Sequence, residues 1–404
     1  MKIVVLKFGG TSVGSIAKIK NVSKIVISYL KKRYKVIVIS SAMSGETNKL
    51  VKLTKKISNN LKASEYDSIV STGEQVACSL IASDLIEKGY LSRSWLGWQI
   101  PIITQGKYSH SKIVSINKQT IVKFLKQGGV PIIAGFQGIN SDYRITTIGR
   151  GGSDASAIMV AKFFKAKKCI IYTDVDGVYT SDPNVVPRAK KIKKISYEEM
   201  LEMASLGSKV MQPHSIQDAR LNRIDIEVKS SFSNKSGTLI TKRKNIINNK
   251  IITGISSTEN DAKVTLLGVK DRPGIAASIF RPLSQNSINV DMVVQNISSN
   301  GKETDMTFTI KSYDLIKTKK IIKNNKSIIF KEMIFDKNVS KVSIIGVGMV
   351  TTPGVTFRMF QALAKQNINI QVISTSEIKI SVLINRANVT KAIECLHKEF
   401  NLDK

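Results

Sequence analysis

The chain carries 404 residues, 62 Lys and Arg against 30 Asp and Glu, a formal net charge of +32, and a 42% hydrophobic share. That length predicts two to four domains at roughly 100–200 residues each, and no stretch supplies the ~18 uninterrupted apolar residues of a membrane helix. The lysines are scattered in ones and twos, without a basic tail or interleaved aromatics, so they describe a solvated surface and no nucleic-acid partner is expected.

Up to about residue 240, short apolar runs alternate with amphipathic stretches. Strands are expected at 3–7, 35–40, 130–134 and 169–172, and helices at 16–30, 113–126 and 155–164. This alternation predicts an α/β domain over 1–245, a largely parallel sheet flanked by helices. The polar run "TKRKNIINNK" at 241–250 reads as a linker. Beyond it the chain repeats itself. "AKVTLLGVKDRPGIAASIFRPLSQNSINV" (262–290) aligns with "SKVSIIGVGMVTTPGVTFRMFQALAKQNINI" (340–370), matching Pro273-Gly274 to Pro353-Gly354, Phe280 to Phe360 and Asn289 to Asn369.

Each copy reads as one compact α+β module of βαββαβ type, used twice. The first has four candidate strands (263–269, 290–297, 303–310 and 328–335). The second has only three (341–347, 369–375 and 378–384) before a helix at 389–400. A missing strand would leave an open apolar edge, so the run "KIITGISST" at 250–258 is expected to cross over and complete the second sheet. The expected modules are therefore 262–336, and 250–258 together with 340–404.

Cys78, Cys169 and Cys395 lie far apart without C-x-x-C spacing, which predicts free thiols in a reducing cytoplasm. Met1-Lys2 leads straight into a strand-like run, with no signal-peptide pattern expected. His110, His214 and His397 form no ligand pattern, so no protein-held metal is expected.

Several short stretches carry chemistry. In "VVLKFGGTSVGS" (4–15), Lys7 stands at the C-terminal edge of a strand, where open α/β sheets bind ligands. Phe8 follows, then Gly9 and Gly10, whose freedom to take φ > 0 and lack of Cβ let backbone amides converge on an anion. A helix from about Ile16 would add its positive end. G-x-x-x-x-G-K-[ST] and G-x-G-x-x-G are both absent. Taken alone, the turn suits a structural role equally well. "TTIGRGGSDASA" (146–157) opens a helix with Ser153-Asp154. An N-cap explains those two residues but not Arg150 beside Gly151 and Gly152, which suits an incoming anion. "STGEQVACSL" (71–80) puts Glu74 in a first helical turn, as a dipole-favoured acid or as a functional group. "YTDVDGVYTSDP" (172–183) gathers Asp174, Asp176 and Asp182 in a turn-rich loop, and "GSKVMQPHS" places Lys209 after a glycine.

With "SSAMSGETNKL", "AGFQGIN" and "SSFSNKSGTLI", these motifs in this order resemble the aspartate kinases of the amino-acid-kinase family over essentially the whole chain. The repeat resembles tandem ACT domains. The resemblance implies transfer of the γ-phosphoryl of ATP to the β-carboxylate of L-aspartate, the first step towards lysine, threonine and methionine. It implies Lys7, Phe8, Gly9 and Gly10 at the phosphates with Ser41 and Lys209, and Asp154 holding the lysines. Thr173, Asp174, Tyr179 and Asp182 would line the nucleotide pocket. Arg150, with Gly151, Gly152 and Ser153, would take the substrate α-carboxylate, and Glu74 its α-ammonium, with Thr47 nearby. Mg²⁺ would ride on the ATP phosphates.

The implied effector contacts are Asp271, Arg272, Pro273, Gly274, Ile275 and Ala276, then Asn289, Val290, Asp291 and Gln295. In the second module they are Val355, Thr356, Ser376 and Glu377. Lysine and/or threonine are the implied effectors, and a homodimer or larger assembly the implied state. Two positions depart from the family. Asn184 stands where an Arg is common, with Arg188 four residues on, and Lys112 replaces an expected Arg and carries no role. Competing readings are another amino-acid kinase, acting on acetylglutamate, glutamate, carbamate or UMP, and an inactive amino-acid sensor. The first group generally lacks the tandem module; the second has no need of Lys7, Asp154 and Lys209.

Overall fold

Ile3–Phe8 (β1) is buried along its whole length, as a strand covered by helices on both faces must be. The computed structural model describes all residues except 59, 208–209, 247–249, 298–302 and 326. Two units divide the chain; the first comprises Met1–Val178, Lys191–Ser205 and Lys209–Asn248. After β1 come α1 (Ile16–Lys31), β2 (Lys35–Ser40), α2 (Glu46–Ile57), α3 (Ala63–Val70), α4 (Thr72–Glu87) and β3 (Ser92–Trp95). Next are β4 (Ile102–Gln105), β5 (Lys112–Ile116), α5 (Gln119–Lys126), β6 (Val130–Ala134), β7 (Gln137–Ile139) and β8 (Ile145–Thr147). The unit continues with α6 (Gly152–Phe163), β9 (Lys168–Thr173), β10 (Lys194–Ser196) and α7 (Tyr197–Ser205). It closes with α8 (Pro213–Asn222), β11 (Ile226–Ser230) and β12 (Thr238–Thr241).

The main sheet has eight strands in the order β10-β12-β11-β9-β1-β2-β6-β3. Only β11 and β12 pair antiparallel. The C-terminal ends of β1, β2, β9 and β11 therefore share one edge. A four-stranded sheet, β5-β4-β7-β8, accompanies it. The helix expected over 113–126 is shorter than that. Lys112–Ile116 is a strand paired antiparallel with β4, because its β-branched residues suit a pleated surface, and the helix starts only at Gln119. By length and apolar character the helical stretch Ala63–Glu87 would cross a bilayer, yet half of it is buried in the protein. It also carries buried Asp67 and Glu74, and is a core element.

The second unit comprises Tyr179–Lys190, Leu206–Ser208 and Asn249–Lys404. Its elements are β13 (Gly254–Lys270), α9 (Ile275–Gln285), β14 (Val290–Ile297), β15 (Glu303–Lys311) and α10 (Leu315–Asn324). They continue with β16 (Glu332–Ile345), α11 (Val355–Ala364), β17 (Ile370–Ser376), β18 (Lys379–Asn385) and α12 (Val389–Glu399). One six-stranded antiparallel sheet, β14-β15-β13-β16-β18-β17, serves both repeats.

The strands expected separately at 250–258 and 263–269 are one 17-residue strand that begins only at Gly254. Its residues 254–258 pair with 341–345 of the second repeat, and 264–267 pair with 332–335. Likewise 328–335 and 341–347 are not two strands but the single β16, starting at Glu332. Register shifts around Asp261 let the long strand bend without breaking. Residues 179–190, which follow β9 in the chain, belong to this unit. Val186 joins the core formed by Ile252, Ile255, Met359 and Leu396, and Ile255 N–H donates to the Thr180 carbonyl at 2.7 Å.

Candidate active site

Lys7 reaches the C-terminal edge of the main sheet and meets Asp154, from the first turn of α6, with Nζ 2.6 Å from Oδ1 and side chains only 10% and 9% exposed. An ammonium held this way presents its charge at a fixed point. Gly9 differs from expectation. Its φ is −72° and its N–H donates to the Tyr172 carbonyl at 3.1 Å, so its amide is already used. Gly10 also lies outside the positive-φ residues. Close approach accounts for Gly10, whereas a Cβ on Gly9 would make only ordinary contacts. A Cβ on Gly9 would sit 3.5 Å from Lys7 Nζ, and one on Gly10 3.0 Å from the Ala42 carbonyl. Phe8 is a core residue stacked on Tyr172 at 4.9 Å. Ser41 N–H donates to the Phe8 carbonyl at 3.1 Å, tying β2 to the same edge.

Two serines that sequence reasoning missed tie the strand ends together. Ser231 Oγ donates to Ser12 Oγ at 2.8 Å, and Ser231 N–H donates to the Thr173 carbonyl at 2.9 Å. Asn21 Nδ2 donates to the Ser231 carbonyl at 2.6 Å. The ends of β1, β9 and β11 are thereby locked.

Glu74 is 3% exposed. Its Oε1 accepts the Ala42 N–H at 3.2 Å, whereas Oε2 is buried without a partner among the described residues. Burial pushes its carboxyl up to about 8, against the smaller opposing effect of the Ala42 amide. A dipole-favoured surface acid would not be left in this state. Gly73 makes the position possible, since a Cβ there would meet the Ala42 Cβ at 2.9 Å. Thr47 lies half-buried in the first turn of α2, whose Glu46 and Leu50 flank Gly73.

Arg150 is exposed and, among the described residues, has no carboxylate partner. It sits between Gly149 (φ +85°) and Gly151 (φ +70°), left-handed positions that suit glycine. Gly152 and Ser153 are buried behind it in α6. Asp67 was overlooked in the sequence. It is wholly buried and accepts bonds from Ser109 and from Thr147, three residues before Arg150.

The nucleotide-loop candidates are divided. Thr173 ends β9 in the first unit and Asp174 follows it, with Thr173 Oγ1 donating to Asp174 Oδ1 at 3.0 Å. Tyr179 and Asp182 fall in the second unit. Asp182 Oδ1 accepts Asn184 N–H at 2.9 Å and Nδ2 at 3.0 Å, so it caps its own turn. Lys209 lies outside the described residues.

In the second unit, Asp271, Arg272, Pro273, Gly274, Ile275, Ala276 and Gln295 line a pocket of ≈ 380 Å³. Asn289 and Val290 lead into β14 beside it. Asp291 is engaged with the buried Lys341 ammonium; burial works to raise its carboxyl, but Lys341 holds it below its ordinary value. Val355 and Thr356 open α11, and Ser376-Glu377 lies at the turn between β17 and β18.

Known proteins match this chain along its length. The amino acid kinase family profile matches residues 2–230, and the ACT domain profile matches 264–325 and 342–400. An aspartate kinase of Pseudomonas putida is 45% identical over all of this chain and 98% of that protein. Aspartokinase 2 of Bacillus subtilis is 40% identical over all of this chain and 99% of its own length. A crystal structure of aspartate kinase from Synechocystis, at 36% identity and TM-score 0.55, covers 98% of this chain and 69% of that one. The fold also matches E. coli aspartokinase III in complex with aspartate and ADP, at TM-score 0.81 and 23% identity over 98% and 99% of the two chains. The chain belongs to the amino acid kinase family and, within it, to the aspartate kinases that carry ACT domains.

Proposed function

We propose that the protein transfers the γ-phosphoryl of ATP to the β-carboxylate of L-aspartate, giving 4-phospho-L-aspartate, the first step towards lysine, threonine and methionine. The observation that carries this reading is Glu74, a buried carboxylate with one oxygen unpartnered. It favours a substrate with a free α-ammonium over acetylglutamate, carbamate or UMP. Arg150 supplies the planar fork for the α-carboxylate, with Ser153 and the Gly151 and Gly152 backbone beside it and Thr47 near the ammonium.

The nucleophile needs no base, because a side-chain carboxylate with a reference pKa of about 3.9 is already ionised. Positioning two anions and neutralising the moving charge are the remaining tasks. Lys7, oriented by Asp154, faces the phosphates with Ser41, the Gly10 amide and Lys209. Thr173, Asp174, Tyr179 and Asp182 serve the nucleotide. Mg²⁺ would ride on the ATP phosphates, as it usually does in kinase sites.

Regulation follows the same reading. Lysine and/or threonine bind the first repeat through Asp271–Ala276 and Gln295, supported by the pocket there and by a fold relative solved in complex with lysine and aspartate. The division of labour is a catalytic part at 1–245, a first module at 262–336 and a second at 250–258 with 340–404. A cytoplasmic homodimer or larger assembly completes the proposal.

A hydroxamate assay with ATP, Mg²⁺ and L-aspartate, L-glutamate, N-acetyl-L-glutamate or carbamate, with and without lysine and threonine, tests it. Product with L-aspartate alone is expected. Lys7→Ala should lower kcat by about 10²–10³-fold, the size of losing one transition-state charge contact. Turnover of N-acetyl-L-glutamate in place of L-aspartate would overturn the assignment.

A further inference from the structure

Nothing in the proposed chemistry accounts for Asp67, which lies on α3 with no solvent exposure. Among the described residues it has no ion-pair partner. Four donors converge on it instead. Oδ2 accepts the backbone N–H of Ser109 at 2.8 Å and of Thr147 at 2.7 Å. Oδ1 accepts the hydroxyls of the same two residues at 2.7 and 2.9 Å. A buried carboxylate is tolerated when its lone pairs are used this fully.

The bonds join places that the chain keeps apart. Thr147 ends β8, three residues before Arg150. Ser109, held at φ +63°, packs its carbonyl where a Cβ on Gly149 would come within 2.8 Å. Asp67 lies about two helical turns before Glu74, across a junction at Ser71 whose carbonyl accepts from Gln137 Nε2 at 2.9 Å. One carboxylate thus ties α3, which runs through Ser71 into the helix bearing Glu74, to the turn bearing Arg150. We propose that Asp67 is a positioning residue that sets the separation between the two groups reading the charged ends of the amino acid substrate. It acts through Glu74 and Arg150, without touching substrate, and it rests on the assignment of those two residues to aspartate.

The donor pattern dictates the test. In Asp67→Asn the carbonyl oxygen can take both backbone amides, and the NH₂ can donate to the two hydroxyls, which rotate to accept. In Asp67→Ala all four groups lose their partner. Steady-state kinetics should show aspartate KM raised about tenfold or more in Asp67→Ala, with ATP KM changed by less than about twofold. Asp67→Asn should recover aspartate KM to within about threefold of wild type. Ser109→Ala/Thr147→Val keeps both amides and should raise aspartate KM by about three- to tenfold; it decides the matter if Asp67→Ala does not fold. Equal rises in both KM values, an unchanged aspartate KM, or an Asn variant as impaired as Ala would each overturn the positioning role. A wild-type enzyme without aspartate-dependent turnover would instead overturn the substrate assignment on which it rests.

Discussion

The two copies of the strand–Pro-Gly–helix repeat start from one template and are used differently. Both turns place a left-handed glycine just before the helix, Gly274 at φ +86° and Gly354 at φ +84°. A Cβ on either glycine would meet nothing within 4 Å, and in the first copy the turn lines a ≈ 380 Å³ pocket with Gln295. In the second copy, chain is laid against the approach to the turn: Cβ atoms on Gly346 and Gly348 would come within 2.2 and 2.6 Å of the Ile251 backbone. Its core takes in Ile252 and Val186, and His397 Nε2 on α12 bonds to Thr180 Oγ1 at 2.9 Å. Equal sequence patterns give equal backbones. What packs against them differs, and the second copy is the one that holds the segment 179–190.

Breaking the second copy should have the largest effect. Val186→Asp places an unpaired charge among Ile252, Ile255 and Leu396, and should destabilise the protein by about 3 kcal/mol or more, read as a lowered urea midpoint. A loss below about 1 kcal/mol would mean that this segment is not part of the core in solution. The first copy should behave in the opposite way. Arg272→Ala, at the pocket rim, should raise the effector concentration for half-inhibition by about tenfold, while Tm stays within about 1 °C because exposed changes barely alter stability. A large Tm shift with effector response intact would reverse the roles assigned to the copies.

The smallest effect is expected at Thr180→Val, which removes the bond to His397 and the acceptor for Lys190 N–H at 3.0 Å, for about 1 kcal/mol. His397 adds a pH signature. Desolvation holds its pKa below the ordinary value, with Asp403 raising it and Lys250 lowering it. The unfolded chain therefore takes up the proton first as pH falls, and stability present above about pH 6.5 declines below it. His397→Gln should flatten that acid-side decline in a thermal-denaturation series; an unchanged slope would assign it elsewhere.

The residues of the proposed site drew attention in the sequence because phosphate and zwitterion recognition need rare residue types in tight turns. Lys7 and Arg150 stood out as charges that an apolar strand or a glycine turn does not explain, while Asp154 and Glu74 also had helix-terminus explanations and gained weight only beside the other motifs. Asp67 escaped notice because a helical acid ordinarily faces solvent, and its four donors come from positions 42 and 80 residues away. The one available signal was an acid three residues before Val70, just ahead of the apolar run that continues through α4. Gly10 misled for a different reason: sequence cannot tell a glycine needed for φ > 0 from one needed for close approach. The run at 112–116 merged with the helix that follows because short β-branched segments are ambiguous in periodicity. Its pairing with β4 is a long-range fact. Similarly, the strand count exposed a missing partner for the second repeat, but not that β13 and β16 run unbroken through both.

Glu74 offers the most direct measurement of the central claim, that a buried carboxylate awaits the ammonium of an amino acid. With its carboxyl pushed up to about 8, the proposed pairing with the aspartate ammonium requires the group to ionise. In the free protein, the unfolded state releases this proton first, so its contribution to stability falls as pH rises from about 4.5 towards 8. Aspartate binding should run the other way. Aspartate KM measured from pH 6 to 9 should fall by up to about tenfold per unit below pH 8 and level off above it, while ATP KM stays flat. Glu74→Gln should bind aspartate weakly and without that slope. A wild-type aspartate KM independent of pH over this range, or a Glu74→Gln enzyme that keeps the slope, would contradict the account.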